Sequence, residues 1–300
     1  GALTQSQVDD DRNQAQPGAL AFDAREKLDQ QKLALTLRRP FGEGRQPRAV
    51  PWGLQRDFAN ALPFNRRVDL DRKAWGGSLV FADASGPVHL TAGFDVDLQR
   101  DLRVNFENLG GARGDETFRQ SENVTTLGPW LSAETRFANG FGVVTGVRWD
   151  WTRFDFGDRF VTATSGDGSD EKTFRDLSPR FGIFWRHSDA FFAYANYDSA
   201  FQVPTTTELQ TPDPDGGFQS DFDAENANGV EVGAKGLLFD RLYYDVALFA
   251  LRVRNVAVPY ENAAGVTYYR DAGESHRRGL ELALSAWLAP GLSARGSYTY

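Results

Sequence analysis

The chain contains no cysteine. That excludes a disulfide framework, a thiolate zinc site and a cysteine nucleophile. Its three histidines, His89, His187 and His276, stand far apart, which leaves little material for a histidine metal cluster. Methionine is missing even at position 1, where Gly1 stands, so the chain reads as processed, trimmed or a fragment. No run of 18 apolar residues occurs, so no helix can cross a membrane, and the polar, irregular first 20 residues lack the features of a secretory leader. A membrane β-barrel survives that exclusion, because its strands need only about 9–11 alternating residues. The formal charge of −8 comes from 41 acidic and 33 basic residues that are interspersed, which argues against a nucleic-acid partner needing a net basic face.

What is present is alternation with a period of two. Residues 88–98 place Val88, Leu90, Ala92, Phe94, Val96 and Leu98 on one face, with His89, Thr91, Gly93, Asp95 and Asp97 on the other. Residues 127–137 and 141–152 repeat the pattern around a turn at Ala138-Asn139-Gly140. Further pairs run 177–186 with 190–200, 229–238 with 241–254, and 280–288 with 292–300. Tight turns fall near 85, 139, 188, 239 and 290, while longer polar connections fall near 99–123, 154–174, 201–227 and 255–274. Each period of about 50 residues carries two strands, so the repeat is a long hairpin rather than a four-stranded propeller blade.

A soluble sandwich also alternates, but its strands usually run five or six residues. Here the alternation holds for ten or more, one face carries Glu134, Arg136, Arg148, Asp150, Glu231 and Lys235, and Trp149, Trp151, Trp185, Tyr298 and Tyr300 gather toward strand ends as an interfacial girdle would. The reading is an all-β, antiparallel, up-and-down transmembrane β-barrel. Pro129 and Pro179 fall inside strand patterns and require bulges or strand entries, since each removes a ladder donor. Residues 1–70 are less patterned: Leu33, Leu35 and Leu37 alternate before a turn near Pro40-Phe41-Gly42, and 23–32 could start a short helix.

The second half carries ordered local motifs: Leu177-Ser178-Pro179-Arg180-Phe181-Gly182; Tyr197-Asp198-Ser199-Ala200-Phe201-Gln202-Val203-Pro204; Gly229 to Gly236 after Glu225; and Asp271-Ala272-Gly273-Glu274 leading to Arg278-Gly279-Leu280-Glu281-Leu282. In order and spacing these resemble the barrel domain of TonB-dependent outer-membrane receptors, over roughly residues 120–300, with Asp271 where the family usually has Asn. The resemblance implies a 22-stranded barrel in the bacterial outer membrane, filled by a plug domain. On it, residues 1–300 are expected to supply about 12 strands of one barrel domain, with no plug in this chain. A complete 12-stranded barrel closing at Tyr300 is the rival explanation.

The resemblance also implies import energised by the TonB-ExbB-ExbD system acting through a plug, with a scarce ligand, most often a ferric siderophore or other iron complex, and outer-membrane lipid as partners. Neither a cofactor nor nucleic acid is expected. Arg148, Glu231 and Lys235 could line the ligand path or serve as ordinary paired charges of the barrel interior. Phe201, Pro204, Glu208 and Phe218 fall on a long loop and are candidates for ligand contact or for plain exposure. Gly166-Asp167-Gly168-Ser169-Asp170 lacks the spacing of a calcium loop and is expected to be a flexible tip. A passive porin remains an alternative. An outer-membrane hydrolase is more remote, with His89 beside Asp95 and Asp97 as its one candidate base and no Gly-x-Ser-x-Gly elbow.

Overall fold

The computed structural model describes residues 3–63, 66–163, 166–210, 219, 221–261 and 267–300. Two short helices, α1 (Gln5–Asp11) and α2 (Pro17–Ala21), precede fifteen strands. These are β1 (Arg25–Ala34), β2 (Leu37–Arg38), β3 (Arg45–Leu62), β4 (Arg66–Asp83), β5 (Val88–Leu109), β6 (Ala112–Arg136), β7 (Phe141–Asp158), β8 (Asp170–Ser188), β9 (Phe191–Gln202), β10 (Glu225–Leu238), β11 (Leu242–Arg254), β12 (Ala257–Glu261), β13 (Thr267–Asp271), β14 (Glu274–Ala289) and β15 (Leu292–Thr299). One antiparallel sheet runs β1-β3-β4-β5-β6-β7-β8-β9-β10-β11-β14-β15, with β2 also on β3, and β12–β13 form a separate hairpin. The main path has the twelve strands expected, and its order is an up-and-down meander.

Register assigns the two faces. Residues directly opposite in an antiparallel ladder share a face. On β7 the row Phe141, Val143, Thr145, Val147, Trp149, Trp151 stands opposite Trp185, Ile183, Phe181, Pro179, Leu177 and Arg175 of β8. The same face carries Val88 to Leu98 of β5, Leu248 of β11 and Leu280, Leu282 and Leu284 of β14. Leu177, Phe181, Val230, Val232 and Leu248 are 50–59 % exposed on it, a continuous apolar surface of a kind water-soluble monomers rarely carry. Above Trp151 the row turns polar at Arg153 and Asp155. Ten residues separate Phe141 from Trp151; at about 3.3 Å per residue and a tilt of about 40°, this row stands about 25 Å tall, the height of the apolar band of a transmembrane barrel. Aromatic rings mark its lower end, where Phe141 stacks on Trp185 at 5.5 Å and Phe191 meets Trp185 edge-on at 6.0 Å. We call this the outer face. In the intact protein in lipid, Val147→Arg is expected to cost about 2–4 kcal/mol, read from denaturant unfolding.

The other, inner face bears the charges, and its buried core lies where the sheet rises beyond the apolar row. Phe154, Phe156 and Phe174 pack there with Leu209, Phe222 and Ala224 of the connection between β9 and β10.

Three expectations fail in instructive ways. Residues 99–123 are not a loop: β5 continues to Leu109, reverses at Gly110-Gly111 with φ of +62° and +92°, and returns as β6. The ladder persists because hydrogen bonding, not apolar alternation, defines it; beyond the outer apolar row the inner face carries buried polar residues such as Asp101, Arg103 and Glu122. Residues 23–32 do not start a helix. Arg25–Ala34 pairs with Trp52–Ala61 of β3, which satisfies its backbone donors and acceptors more fully than one isolated helical turn could. The connection 255–274 contains the β12–β13 hairpin. Pro179 sits in mid-strand opposite Val147, and the β6–β7 ladder lapses at Gly128 and Pro129 before resuming in the same register.

The short turns fall where expected. The β10–β11 turn puts Phe239 and Asp240 at φ of 54° and 53°, the double left-handed conformation that matches strand twist in a tight hairpin.

Candidate functional site

The inner face holds a cavity of about 510 Å³ at the level where the outer face turns polar. Thr126, Arg148, Asp150, Thr152, Ser178 and Ser199 supply its polar wall, with Phe201 at the end of β9 and Val203 just after it. Arg148 is fixed by carboxylates on both sides: Nε donates to Asp150 Oδ1 at 2.8 Å, and Nη1 donates to Asp95. Asp95 lies two strands away on β5, and the guanidinium reaches it by lying over Gly128 of β6. A Cβ at Gly128 would stand 2.0 Å from Arg148 Nη2, so only glycine leaves this crossing open. Asp95 also accepts from Ser78 and from the indole of Trp130. Thr126 and Thr152 share a hydroxyl hydrogen bond of 3.1 Å across β6 and β7.

On the loop side lies a cap in which residues 203–210, 219 and 221–224 are described. Phe154 meets Phe156 and Phe174 edge-on at 6.4 and 5.8 Å, and Leu209, fully buried, and Phe222 complete the cluster. Pro204 is buried within the cap, and Phe201 packs half-buried against the cluster. Glu208 serves the cap's own backbone: its Oε2 accepts from the Thr205 N–H at 2.6 Å, while Thr205 Oγ1 accepts from the Glu208 N–H at 3.3 Å. That is a capping-box exchange around a single turn. Lys172 Nζ donates to the Phe222 carbonyl at 2.6 Å and lies 5.1 Å from the Phe174 ring. Burial against these rings lowers the Lys172 pKa, opposed by Asp223, Asp221, Asp271 and Asp170 around it. Burial likewise raises that of Asp271, and the neighbouring Asp223 carboxylate adds to the rise.

Beneath the cap lies an ion-pair network that the sequence reading missed. Arg72 donates twice to Asp101, through Nε at 3.0 Å and Nη2 at 2.6 Å, and Gln99 adds a third bond to that carboxylate at 3.0 Å. Arg103 Nε donates to Glu122 Oε1 at 2.6 Å, and Nη2 reaches Thr207 of the cap at 3.2 Å. The Asp101 and Glu122 side chains are wholly buried. The signal was present as polar side chains at the alternate positions Gln99, Asp101 and Arg103, inside a stretch read as a polar connection.

Asn108 is the second missed residue. Wholly buried near the β5–β6 tip, it donates through Nδ2 to the carbonyls of Phe22 at 2.7 Å and Leu62 at 2.9 Å, and accepts from the Gly111 N–H at 2.7 Å. One amide thus ties the segment after α2, the end of β3 and the hairpin tip together. Asn108→Ala leaves these backbone groups unpaired and is expected to cost about 1–3 kcal/mol, measured as faster amide exchange in residues 17–24.

Of the predicted site residues, Arg148 and Phe201 meet in one cavity. Glu231 and Lys235 meet in another cluster on β10: the Tyr194 hydroxyl bonds Glu231, and the Lys235 ammonium lies 5.5 Å from the Phe192 ring and 5.6 Å from Tyr194. Glu231 also lines a smaller cavity of about 290 Å³ with Asp198, Phe249 and Glu281. Pro204 and Glu208 belong to the cap, and Phe218 lies outside the described residues. His89 stands opposite Glu134 and six residues from Asp95, about 20 Å along the strand, so no triad forms around it. At Gly166–Asp170 the Asp158 carboxylate accepts from the Gly168 N–H at 3.0 Å and Asp167 accepts from the Ser169 N–H at 2.9 Å, a hydrogen-bonded turn. Among the described residues, no three acidic or histidine side chains gather to hold a cation.

Comparison with known proteins places this geometry. Residues 3–300 match the family described as TonB dependent receptor-like, beta-barrel. The metal-pseudopaline receptor CntO of Pseudomonas aeruginosa (strain UCBPP-PA14) is 29 % identical over 184 residues, 61 % of this chain and 25 % of that receptor. Among solved structures, the unliganded ferric citrate transporter FecA superposes with a TM-score of 0.77 at 14 % identity, covering 100 % of this chain and 46 % of that one. The copper transporter OprC gives 0.74 at 14 % identity, covering 94 % and 47 %. The chain therefore spans less than half the length of these solved chains, and its match covers a quarter of the CntO sequence.

Proposed function

We propose, since the chain belongs to the TonB-dependent receptor-like β-barrel family of bacterial outer-membrane proteins, that it is part of the barrel of an importer for a scarce metal chelate, a ferric siderophore or other iron complex. The family is one of transport receptors, not enzymes. The observation that carries the ligand reading is the inner-face cavity at Arg148: hydroxyls and ion-paired charges form its wall, and Phe201 and Val203 line it while packing against the neighbouring aromatic cluster. A polar chelate with a flat organic part needs such a mixture of donors, acceptors and rings. The relatives' names point to metal complexes too: metal-pseudopaline for CntO, ferric citrate for FecA and copper for OprC. In this reading the outer apolar face meets lipid, and the TonB-ExbB-ExbD system supplies force through a plug domain. An energy source is required because a ligand present at trace concentration cannot be accumulated through a passive pore.

The test uses the full-length receptor in an outer-membrane host, with and without TonB, offered radiolabelled iron as several ferric siderophores and as ferric citrate, and copper. Uptake of at least one ferric chelate that disappears without TonB is the expected result. Uptake that persists without TonB, with ion conductance in a planar bilayer, would establish the passive-pore reading instead. TonB-dependent uptake of copper alone would replace iron as the cargo.

A further inference from the structure

The outer face carries a feature that ligand import does not use. Near the short-turn edge, a groove of about 550 Å³ runs across β2 to β5. Two cross-strand rows build it. Leu37, Ala49, Leu79 and Phe94 stand opposite one another in the upper row, and Pro47, Phe81 and Ala92 in the lower. Small residues at Ala49, Pro47 and Ala92 form the floor between the large Leu37, Leu79, Phe81 and Phe94. Leu79 is 61 % exposed and Leu37 60 %, so the walls stand open to whatever covers the outer face.

Charge marks one end of the groove. The lower row continues into Arg39, whose N–H donates to the Pro47 carbonyl, and Phe41 beyond it meets Phe81 at 6.2 Å. On the groove's own face at this corner, Arg45 takes Asp83 at 3.1 Å. Arg39, in alternation with Leu37, is exposed and has no ion-pair partner among the described residues. Arg38 and Arg48, one residue out of step with Leu37 and Ala49, stand opposite each other on the inner face.

We propose that this groove holds one phospholipid with an anionic headgroup, its acyl chain between Leu79 and Phe94 and its phosphate on Arg39. Two arguments select that occupant. The groove is continuous with the apolar face that a barrel presents to the bilayer, so a lipid chain reaches it without crossing water. Arg39 lies at the short-turn edge, the level of the inner-leaflet headgroups, where an arginine at the interface attracts anionic lipid. A headgroup without net charge satisfies the groove but leaves Arg39 uncompensated. The inference stands apart from the identity of the imported ligand.

Native mass spectrometry of the full-length receptor in detergent tests it, with phosphatidylglycerol and phosphatidylcholine of equal chain length as probes. The expected result is one retained phosphatidylglycerol, at least fivefold preferred over phosphatidylcholine. Arg39→Gln abolishes that preference, and Ala92→Leu, which fills the floor, reduces retention of both lipids. Arg39 is exposed and packs against no core, so its variant keeps the test valid even where Ala92→Leu impairs folding. Equal retention of both lipids by the unmodified receptor, or an unchanged preference in Arg39→Gln, overturns the proposal.

Discussion

Replacing Arg103 by leucine is expected to loosen the cap over the inner cavity at a cost of about 3–5 kcal/mol, because it leaves the wholly buried Glu122 carboxylate without its cation. Glu122→Leu is expected to cost a similar amount by leaving Arg103 with only the Thr207 hydroxyl as partner. The double variant Arg103→Leu/Glu122→Leu should recover most of the loss, because two apolar side chains desolvate cheaply where one lone charge does not. Amide exchange of residues 203–210 in the full-length receptor is the readout, since Thr207 joins the cap to this pair. Single and double variants with equal exchange would contradict the role assigned to the network.

The second large effect comes from the aromatic cluster. Phe154 is 2 % exposed and makes edge-on contacts with both Phe156 and Phe174, so Phe154→Ala removes the ring that joins the sheet to the cap. A cost of about 3–5 kcal/mol is expected from lost burial and the cavity left behind. The consequence differs from that of a belt mutation. The barrel should keep its resistance to detergent and its migration on unheated gels, because the strands below Trp151 are untouched, while residues 203–210 become accessible to protease. Loss of barrel migration in Phe154→Ala would show that the cluster supports the sheet itself.

The sequence made the outer rows legible because they repeat. Val88 to Leu98, Phe141 to Trp151 and Leu280 to Leu284 each announce a strand alone, and register then aligned them on one face. The polar continuation of β5 and β6 was not legible, because the signal used was apolar alternation and the ladder outlives it. Arg103 and Glu122 were lost with it: nineteen residues apart in a polar stretch, they become partners only once the Gly110-Gly111 reversal is known. The Arg148 pairing with Asp95 depends on the registers of two hairpins and on a missing side chain at Gly128, which no single strand displays. Glu208 is the opposite case. Thr205-Thr206-Thr207-Glu208 is readable as a capping box, so the carboxylate offered for ligand contact or plain exposure is one that the local backbone employs.

The central claim is that one face of this sheet lies in a bilayer and the other encloses a polar interior. These 300 residues hold no cysteine, so a direct measurement places single cysteines from 141 to 156 along β7 in the full-length receptor, with any cysteine outside this segment replaced by serine, spin-labelled in lipid, with collisional access to oxygen and to a water-soluble nickel chelate. The account predicts oxygen access peaking at 143, 147, 149 and 151, low oxygen access at 144, 146, 148 and 150, and nickel access rising on the outer face from Arg153 upward. A profile without this two-residue period, or nickel access equal on both faces between 143 and 151, would contradict it.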